Sequence, residues 1–220
     1  IHPDMTTMLG FITTDAAIEP AVLRQALKAS INRSFNLVTV DGDTSTNDMV
    51  LVLANGLADN LRIAGAGPDL AAFQAGLDYI TVYLAKEIAR DGEGATRLIE
   101  VRVKNAPSLD DGQKAARAIA GSSLVKAAVF GRDANWGRIL AALGYSGADF
   151  DPQQVDIYLG EVMVASDGAG LAFDEDQARR VLEQETVVIT VDLKAGQTAV
   201  TAWGCDLTFD YVKINASYRS

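Results

Sequence analysis

Two adjacent threonines near the start of the chain, Thr6 and Thr7, are the side chains best suited to nucleophilic chemistry. A hydroxyl is a weak nucleophile unless a base lies beside it. His2 is the only histidine, so a Ser-His-Asp triad would have to be built around it. The alternative base is an α-amino group: if the chain is cut just before a threonine, the new terminal amine, with a pKa of about 8, can take the hydroxyl proton. Composition alone favours the plainer interpretation, in which the threonine pair only begins a β-strand.

Other motifs are weaker candidates for a functional site. The segment GAGPDL at 65–70 precedes a predicted helix but lacks the spacing and the lysine of a phosphate-binding loop, so we interpret it as a helix-entry turn. The segment DGDTSTND at 41–48 has several oxygen ligands for a divalent cation, but it lacks the calcium-loop spacing and is interpreted as a hydrogen-bonded turn. Zinc sites of histidine and cysteine are excluded for lack of ligands. We therefore expect no metal site.

Composition limits the partners and the compartment. The chain has 220 residues, 49% of them hydrophobic, and a net charge of -10 from 19 Lys+Arg and 29 Asp+Glu. That negative field disfavours nucleic acids and anionic membrane surfaces. No apolar run is long enough to span a bilayer and no signal peptide is recognisable, so we expect a cytoplasmic protein. Cys205 is the only cysteine and is expected to be a buried thiol. Ile1 in place of a methionine fits either omitted preceding residues or the C-terminal piece of a longer precursor.

Strand and helix patterns alternate along the chain, which predicts a mixed α/β (α+β) fold. Glycine-rich turns suggest a boundary near residue 145, between a larger portion, 1–145, and a smaller one, 146–220. The predicted helices are Pro20–Arg33, Pro68–Arg90, Ser108–Ala120 with a capping box at its start, a short helix ending at Leu143, and Glu175–Glu183. The predicted strands are Met8–Thr14, Asn36–Val40, Thr96–Lys104, Leu124–Phe130, Val155–Leu159, Thr186–Leu193 and Thr198–Cys205.

Five separated segments resemble one enzyme family. IHPDMTTMLGFITTDA looks like the cleavage junction of the ornithine acetyltransferase family, whose usual motif reads K-G-S-G-M-I-x-P-N-M-A-T-M-L. The similarity continues through VDGDTSTNDM, RDGEGATRLIEV, GRDANWGRI and YVKINASYRS, so it covers the whole chain in the right order. The resemblance implies stacked β-sheets flanked by helices, the threonine-nucleophile fold shared with DmpA-type aminopeptidases.

The resemblance also implies roles for single residues. Family members cleave themselves before the motif threonine, which places the cleavage site between Thr6 and Thr7 and makes Thr7 the nucleophile. Thr6 stands where the family has alanine, so it is a chemically competent rival. The implied substrate-binding residues are Glu93, Asn215 and Ser220. Residues that could shape the site or a subunit contact are Arg132, Asp133 and Asn135.

The implied reaction is ping-pong acetyl transfer from N-acetylornithine to glutamate in arginine biosynthesis. No metal or organic cofactor is needed, although acetyl-CoA is a co-substrate in bifunctional members. The expected partner is the complementary α chain of the same precursor, in an α2β2 assembly. Three alternatives stay open: an N-terminal-nucleophile amidohydrolase or aminopeptidase that uses water as acceptor, a family acetyltransferase of secondary metabolism, and a non-enzymatic structural subunit.

Overall fold

The computed structural model describes residues 8–43 and 47–217. The sequence forms eight strands and seven α-helices over those residues. The strands are β1 (Leu9–Thr14), β2 (Met49–Ala54), β3 (Leu98–Ala106), β4 (Asp156–Leu159), β5 (Val162–Ser166), β6 (Ala169–Gly170), β7 (Thr186–Asp192) and β8 (Thr198–Cys205). The helices are α1 (Pro20–Arg33), α2 (Pro68–Arg90), α3 (Leu109–Gly121), α4 (Ser123–Gly131), α5 (Trp136–Gly144), α6 (Glu175–Leu182) and α7 (Phe209–Ser217).

The described residues form two compact units, each with a β-sheet and helices, so the predicted α/β class is confirmed. The first unit takes the residues up to Asn36 and from Asp43 to Ala85; the second takes Leu37–Gly42 and the residues from Lys86 onward. This division differs from the boundary expected near residue 145. Residue 145 lies inside the second unit, because β3 before it hydrogen bonds with β7 and β8 after it in one sheet.

The sheet of the first unit has only two strands. β1 and β2 pair in parallel, with Leu9 opposite Met49 and Thr14 opposite Ala54. Their side chains alternate between a half-buried face and an exposed one. A two-stranded sheet is marginally stable by itself, and its exposed face here is apolar. That face carries Leu9, Phe11, Met49, Leu51 and Leu53, which are 39–62% exposed.

A polar cluster joins α1 and α2 within the first unit. Asp78 accepts hydrogen bonds from Ser30 Oγ at 2.5 Å and Gln74 Nε2 at 2.8 Å, and it pairs with Arg33 at 2.9 Å. Burial opposes ionisation, but the three donors outweigh it and hold the pKa of Asp78 below its usual value. The charged carboxylate therefore fixes the two helices to each other.

The second unit is built on a six-stranded mixed sheet with strand order β6-β5-β4-β7-β3-β8. β3 and β7 are parallel, and the other neighbouring strands are antiparallel. Helix α3 packs against β3 and β8 and begins at Ser108, whose Oγ accepts from Asp111 N at 3.1 Å, so the predicted cap is confirmed. The core of this unit includes Ile99, Val101, Val103, Ile119, Ile157, Val187 and Ile189, all at most 1% exposed.

Two predicted strands are wrong. Residues 36–40 form a short 3₁₀ turn, Phe35–Leu37, followed by a single β-bridge from Val38 to Trp203. Leu124–Phe130 is helical: Ser122 Oγ accepts from Val125 N at 3.4 Å and starts α4. A short apolar run is compatible with both a buried strand and a buried helix. Here the serine cap favours the helix. β2, β5, β6 and α7 have no counterpart among the predicted elements.

Candidate active site

Two of the predicted substrate-binding residues meet in the second unit. Asn215 Nδ2 donates a hydrogen bond to Glu93 Oε2 at 2.8 Å, although 122 residues separate them along the chain. The same amide donates to the carbonyl oxygen of Tyr211 at 3.0 Å, one turn earlier in α7. Both Glu93 and Asn215 are exposed. The pair therefore presents a carboxylate and an oriented amide to solvent, and such a combination could accept a cationic amine.

The loop that carries Glu93 is held close to the start of α7. Gly94 has φ +68°, and a Cβ there would lie 2.7 Å from the backbone nitrogen of Tyr211. Only glycine combines that backbone conformation with that approach. Thr208 Oγ1 donates to Gly94 O at 2.7 Å and accepts from Tyr211 N at 3.3 Å, so one hydroxyl binds the loop and caps the helix.

The next residues of the loop are fixed by a buried carboxylate. Asp206, 2% exposed, accepts from Thr96 N at 2.8 Å, Thr96 Oγ1 at 2.5 Å and Arg97 N at 2.9 Å. These bonds join the end of β8 to the residues that follow Glu93. The Asp206 carboxylate therefore joins the segment that leads into α7 to backbone and side-chain donors that follow Glu93.

Cys205 lies beneath the same loop. It is 1% exposed, which confirms the predicted buried thiol, and a Cβ on Gly92 would lie 2.8 Å from its Sγ. Burial raises the pKa of the Cys205 thiol, against the opposing effect of the Lys126 ammonium. The thiol is therefore neutral and serves as packing under Gly92.

Thr6, Thr7 and Ser220 lie outside the described residues. The residue after Thr7 is described and is tightly bound within the first unit. Met8 N donates to Asp48 Oδ1 at 2.9 Å, and Met8 O accepts from Met49 N at 2.8 Å. Met8 is 8% exposed. The position that follows Thr7 is thus fixed by a carboxylate from the DGDTSTND segment and by β2.

Asp133 and Asn135 make local contacts, whereas Arg132 contacts the end of α6. Asn135 Oδ1 accepts from Arg138 N at 3.2 Å and caps α5, while its Nδ2 donates to Asp133 Oδ2 at 3.0 Å. Arg132 has φ +56° and its Nε lies 3.7 Å from Glu183 Oε1. The two Asn135 bonds stabilise the turn between α4 and α5. A role for the three residues in a subunit contact stays a prediction.

Neither a metal centre nor a membrane span is found in the described part of the chain. Within residues 8–43 and 47–217, no group of three or more His, Cys, Asp or Glu side chains could hold a metal ion. In the same ranges, no helix has the length and apolar character to cross a membrane. Asp41 and Asp48 of the DGDTSTND segment each accept a hydrogen bond, from Tyr211 Oη and Met8 N. These bonds support its interpretation as a hydrogen-bonded turn.

Comparison with known proteins decides the family. The model of the ArgJ family matches residues 1–220. This chain belongs to the ArgJ family. The resemblance to the ornithine acetyltransferases, based on five motifs, is thereby confirmed.

Relatives carrying the ArgJ name match the whole chain. The "Arginine biosynthesis bifunctional protein ArgJ" of Symbiobacterium thermophilum is 64% identical over 220 residues, and that of Geobacillus kaustophilus is 55% identical over 220 residues. Both matches cover 100% of this chain and 55% and 54% of the relatives, so the chain spans about half of their length. A crystal structure of ArgJ from Bacillus halodurans is 49% identical, with a TM-score of 0.94. The match covers 96% of this chain and 100% of the solved chain, which confirms an ornithine acetyltransferase-like fold.

Several residues that build the site were missed from the sequence. Tyr211 and Thr208 connect α7 to the loop of Glu93, and Tyr211 lies within the YVKINASYRS motif, which could have pointed to it. Lys126 is a single charge within the apolar run SLVKAAVF. A lone lysine in such a run is a signal for a buried cation, and the predicted strand concealed it.

Proposed function

We propose that this chain is the nucleophile-bearing part of a glutamate N-acetyltransferase that moves an acetyl group from N-acetylornithine to glutamate. The observation that carries the proposal is the Glu93–Asn215 hydrogen bond of 2.8 Å, at the end of a loop held against α7. A carboxylate with an oriented amide suits the side-chain ammonium of N-acetylornithine. Membership of the ArgJ family supports the same reaction class.

In the proposed reaction the Thr7 hydroxyl attacks the amide carbonyl of N-acetylornithine. The α-amino group of Thr7 takes the hydroxyl proton and then gives a proton to the leaving amine, so ornithine departs and an acetyl ester stays on Thr7. The amine of glutamate attacks this ester, the Thr7 oxygen leaves, and the proton returns to it. Each tetrahedral intermediate needs hydrogen-bond donors, worth about 3 kcal/mol per donor, from an oxyanion hole.

This chemistry needs a free amine on Thr7, so we propose self-cleavage of a precursor between Thr6 and Thr7. The chain spans about half of its curated relatives, which leaves room for an α chain from the same precursor. The apolar face of the β1–β2 sheet, with Phe11 62% exposed, supports a partner that covers it. An α2β2 assembly in the cytoplasm is the corresponding proposal for the whole enzyme.

The remaining assignments follow from the same scheme. Ser220 would add a hydroxyl to the site, and acetyl-CoA would replace N-acetylornithine as donor in a second activity. The relatives are named bifunctional, which supports two acetyl donors. The scheme uses no metal and no organic cofactor.

The test uses the full-length precursor with Thr7→Ala and, as its matched control, Thr6→Ala. Wild type and Thr6→Ala should split into two chains and form N-acetylglutamate from N-acetylornithine and glutamate. Thr7→Ala should stay in one piece and form none. Release of acetate without N-acetylglutamate in the wild type would instead indicate the amidohydrolase, and turnover by the Thr7→Ala, Thr6→Ala double variant would refute the nucleophile.

A further inference from the structure

Lys126 lies in α4 with almost no access to solvent. It is 2% exposed, and its Nζ donates a hydrogen bond to the carbonyl oxygen of Val40. The same carbonyl lies 3.8 Å from Cys205 Sγ. A buried ammonium is costly unless nearby negative charge and hydrogen bonds compensate it. An apolar side chain of the same length would avoid that cost, which makes the ammonium a candidate for a function.

Carboxylates lie near the Cys205 thiol, whose Sγ is 3.8 Å from the same Val40 carbonyl. Asp41 follows Val40, and a Cβ on Gly92, the residue before Glu93, would lie 2.8 Å from Cys205 Sγ. The charged groups whose fields reach that thiol are Lys126, Asp206, Asp41 and Glu93. The buried cation therefore belongs to the surroundings of the Glu93 loop.

A chain of hydrogen bonds leads from the Val40–Asp41 segment to the substrate-binding pair. Asp41 Oδ2 accepts from Tyr211 Oη at 3.1 Å. The carbonyl oxygen of Tyr211 accepts from Asn215 Nδ2 at 3.0 Å, and the same amide donates to Glu93 Oε2 at 2.8 Å. Every step connects residues of the second unit.

Helix α4 also supports the start of α7 directly. The rings of Phe130 in α4 and Phe209 in α7 meet edge to face, with centroids 5.6 Å apart. One helix thus holds both the Val40–Asp41 segment, through Lys126, and the helix that carries Asn215. The Lys126 hydrogen bond and the Phe130–Phe209 contact therefore both affect the position of the Asn215 side-chain amide.

We propose that Lys126 is a positioning residue for acetyl transfer. By binding the Val40 carbonyl it places Asp41 to receive the Tyr211 hydroxyl, and through α7 it aligns Asn215 and Glu93 for the ammonium of the substrate. This inference rests on the function proposed above and deepens it. Lys126 touches neither the nucleophile nor the substrate in this scheme.

The test is a double-mutant cycle in the full-length precursor with Lys126→Met and Tyr211→Phe. Each single variant should self-cleave and raise KM for N-acetylornithine by about 10-fold, which corresponds to one hydrogen bond, with kcat changed much less. The double variant should be little worse than either single variant, because both act through Asp41. Lys114→Met, at an exposed ion pair with Asp110 in α3, is the matched control and should leave both constants unchanged.

The inference would be overturned if the two increases in KM multiply in the double variant. A loss of kcat at constant KM would also overturn it. If Lys126→Met does not assemble, Lys126→Gln, which keeps a donor of shorter reach, enters the same cycle with the same criteria. Wild type and Thr7→Ala are assayed alongside. Failure of the wild type to form N-acetylglutamate would refute the proposed function, whereas an active wild type with an unchanged KM in the Lys126 variant would refute this inference alone.

Discussion

Asn215 and Glu93 are joined by a hydrogen bond of 2.8 Å across 122 residues of sequence. The amide bridges two elements, because it also donates to the carbonyl oxygen of Tyr211 at 3.0 Å. Its second acceptor fixes the side chain's direction, so Glu93 meets a donor that cannot turn away without breaking both bonds. This relationship joins the loop of Glu93 and helix α7 into a single structural element.

Removing the charge of Glu93 should weaken binding of the amine substrate. Glu93→Gln keeps the shape of the side chain, but it loses a charge-assisted hydrogen bond worth about 1.5–3 kcal/mol. We expect KM for N-acetylornithine to rise about 10- to 100-fold in steady-state assays, with cleavage at Thr7 intact. Glu161→Gln, at an exposed turn of the second unit, is the control. Equal KM values in the two variants would contradict a role for Glu93 in binding.

Gly94→Ala should damage both the stability and the site. A side chain at φ +68°, 2.7 Å from Tyr211 N, forces the loop and α7 apart. We expect a loss of about 1–3 kcal/mol in the free energy of unfolding, measured by denaturant titration, and a higher KM for N-acetylornithine. Gly144→Ala at the end of α5, where a Cβ meets open space, should not lower stability. A fully stable Gly94→Ala protein would show that the close approach is not required.

The hydrogen-bonded carboxylate of Glu100 should make the free energy of unfolding decrease at acidic pH. It is 4% exposed and accepts from Lys86 Nζ at 2.8 Å, Arg102 Nε at 2.7 Å and Trp203 Nε1 at 3.1 Å. Burial opposes ionisation, but these donors outweigh it and hold the pKa of Glu100 below its usual value. Because the folded-state pKa lies below the unfolded one, the stabilisation is complete above the unfolded pKa and is lost as pH falls through the folded pKa.

The measurement for Glu100 compares the wild type with Glu100→Gln by denaturant unfolding between neutral pH and acid. At neutral pH the variant should be less stable by about 2 kcal/mol, because a buried charged acceptor is lost. The difference should shrink as pH falls below about 4.3, the usual unfolded value for Glu. A difference that stays constant into acid would refute the ionised, hydrogen-bonded carboxylate.

The exposed face of the β1–β2 sheet should be needed for assembly. Phe11→Asp places a charge in an apolar face whose side chains are 39–62% exposed, and we expect it to prevent or weaken association with the complementary chain. Size-exclusion chromatography of the expressed precursor measures this. Leu61→Asp, at a loop residue that is 88% exposed, is the control. Normal assembly of Phe11→Asp would exclude this face as the interface.

The sequence allowed accurate prediction where local signals agreed. Helices at Pro20–Arg33 and Pro68–Arg90 and the strand Thr198–Cys205 have the predicted bounds, because proline starts, apolar spacing and alternation are local properties. The strand prediction for residues 124–130 failed because a continuous apolar run has no periodicity that distinguishes a strand from a helix. The strand prediction for residues 36–40 failed because tertiary contacts, rather than intrinsic strand propensity, determine the conformation of this segment.

The site was only partly predictable for a different reason. Motifs identified Glu93 and Asn215 as single residues, but no pattern showed that they contact each other. The contact depends on Gly94 allowing α7 to approach and on Thr208 binding both elements, which are tertiary relationships. Lys126 was missed because its apolar run was predicted as a strand, and its partner, a backbone carbonyl 86 residues away, cannot be inferred from the sequence.

In the proposed reaction, Thr7 carries the acetyl group between donor and acceptor. The most direct measurement is peptide-level mass spectrometry of the expressed full-length protein after brief exposure to N-acetylornithine without glutamate. We expect a chain that begins at Thr7 and carries one acetyl ester on that residue, which disappears when glutamate is added. Acetylation of Thr6 or of another residue, or an active protein in which the Thr6–Thr7 bond is intact, would contradict it.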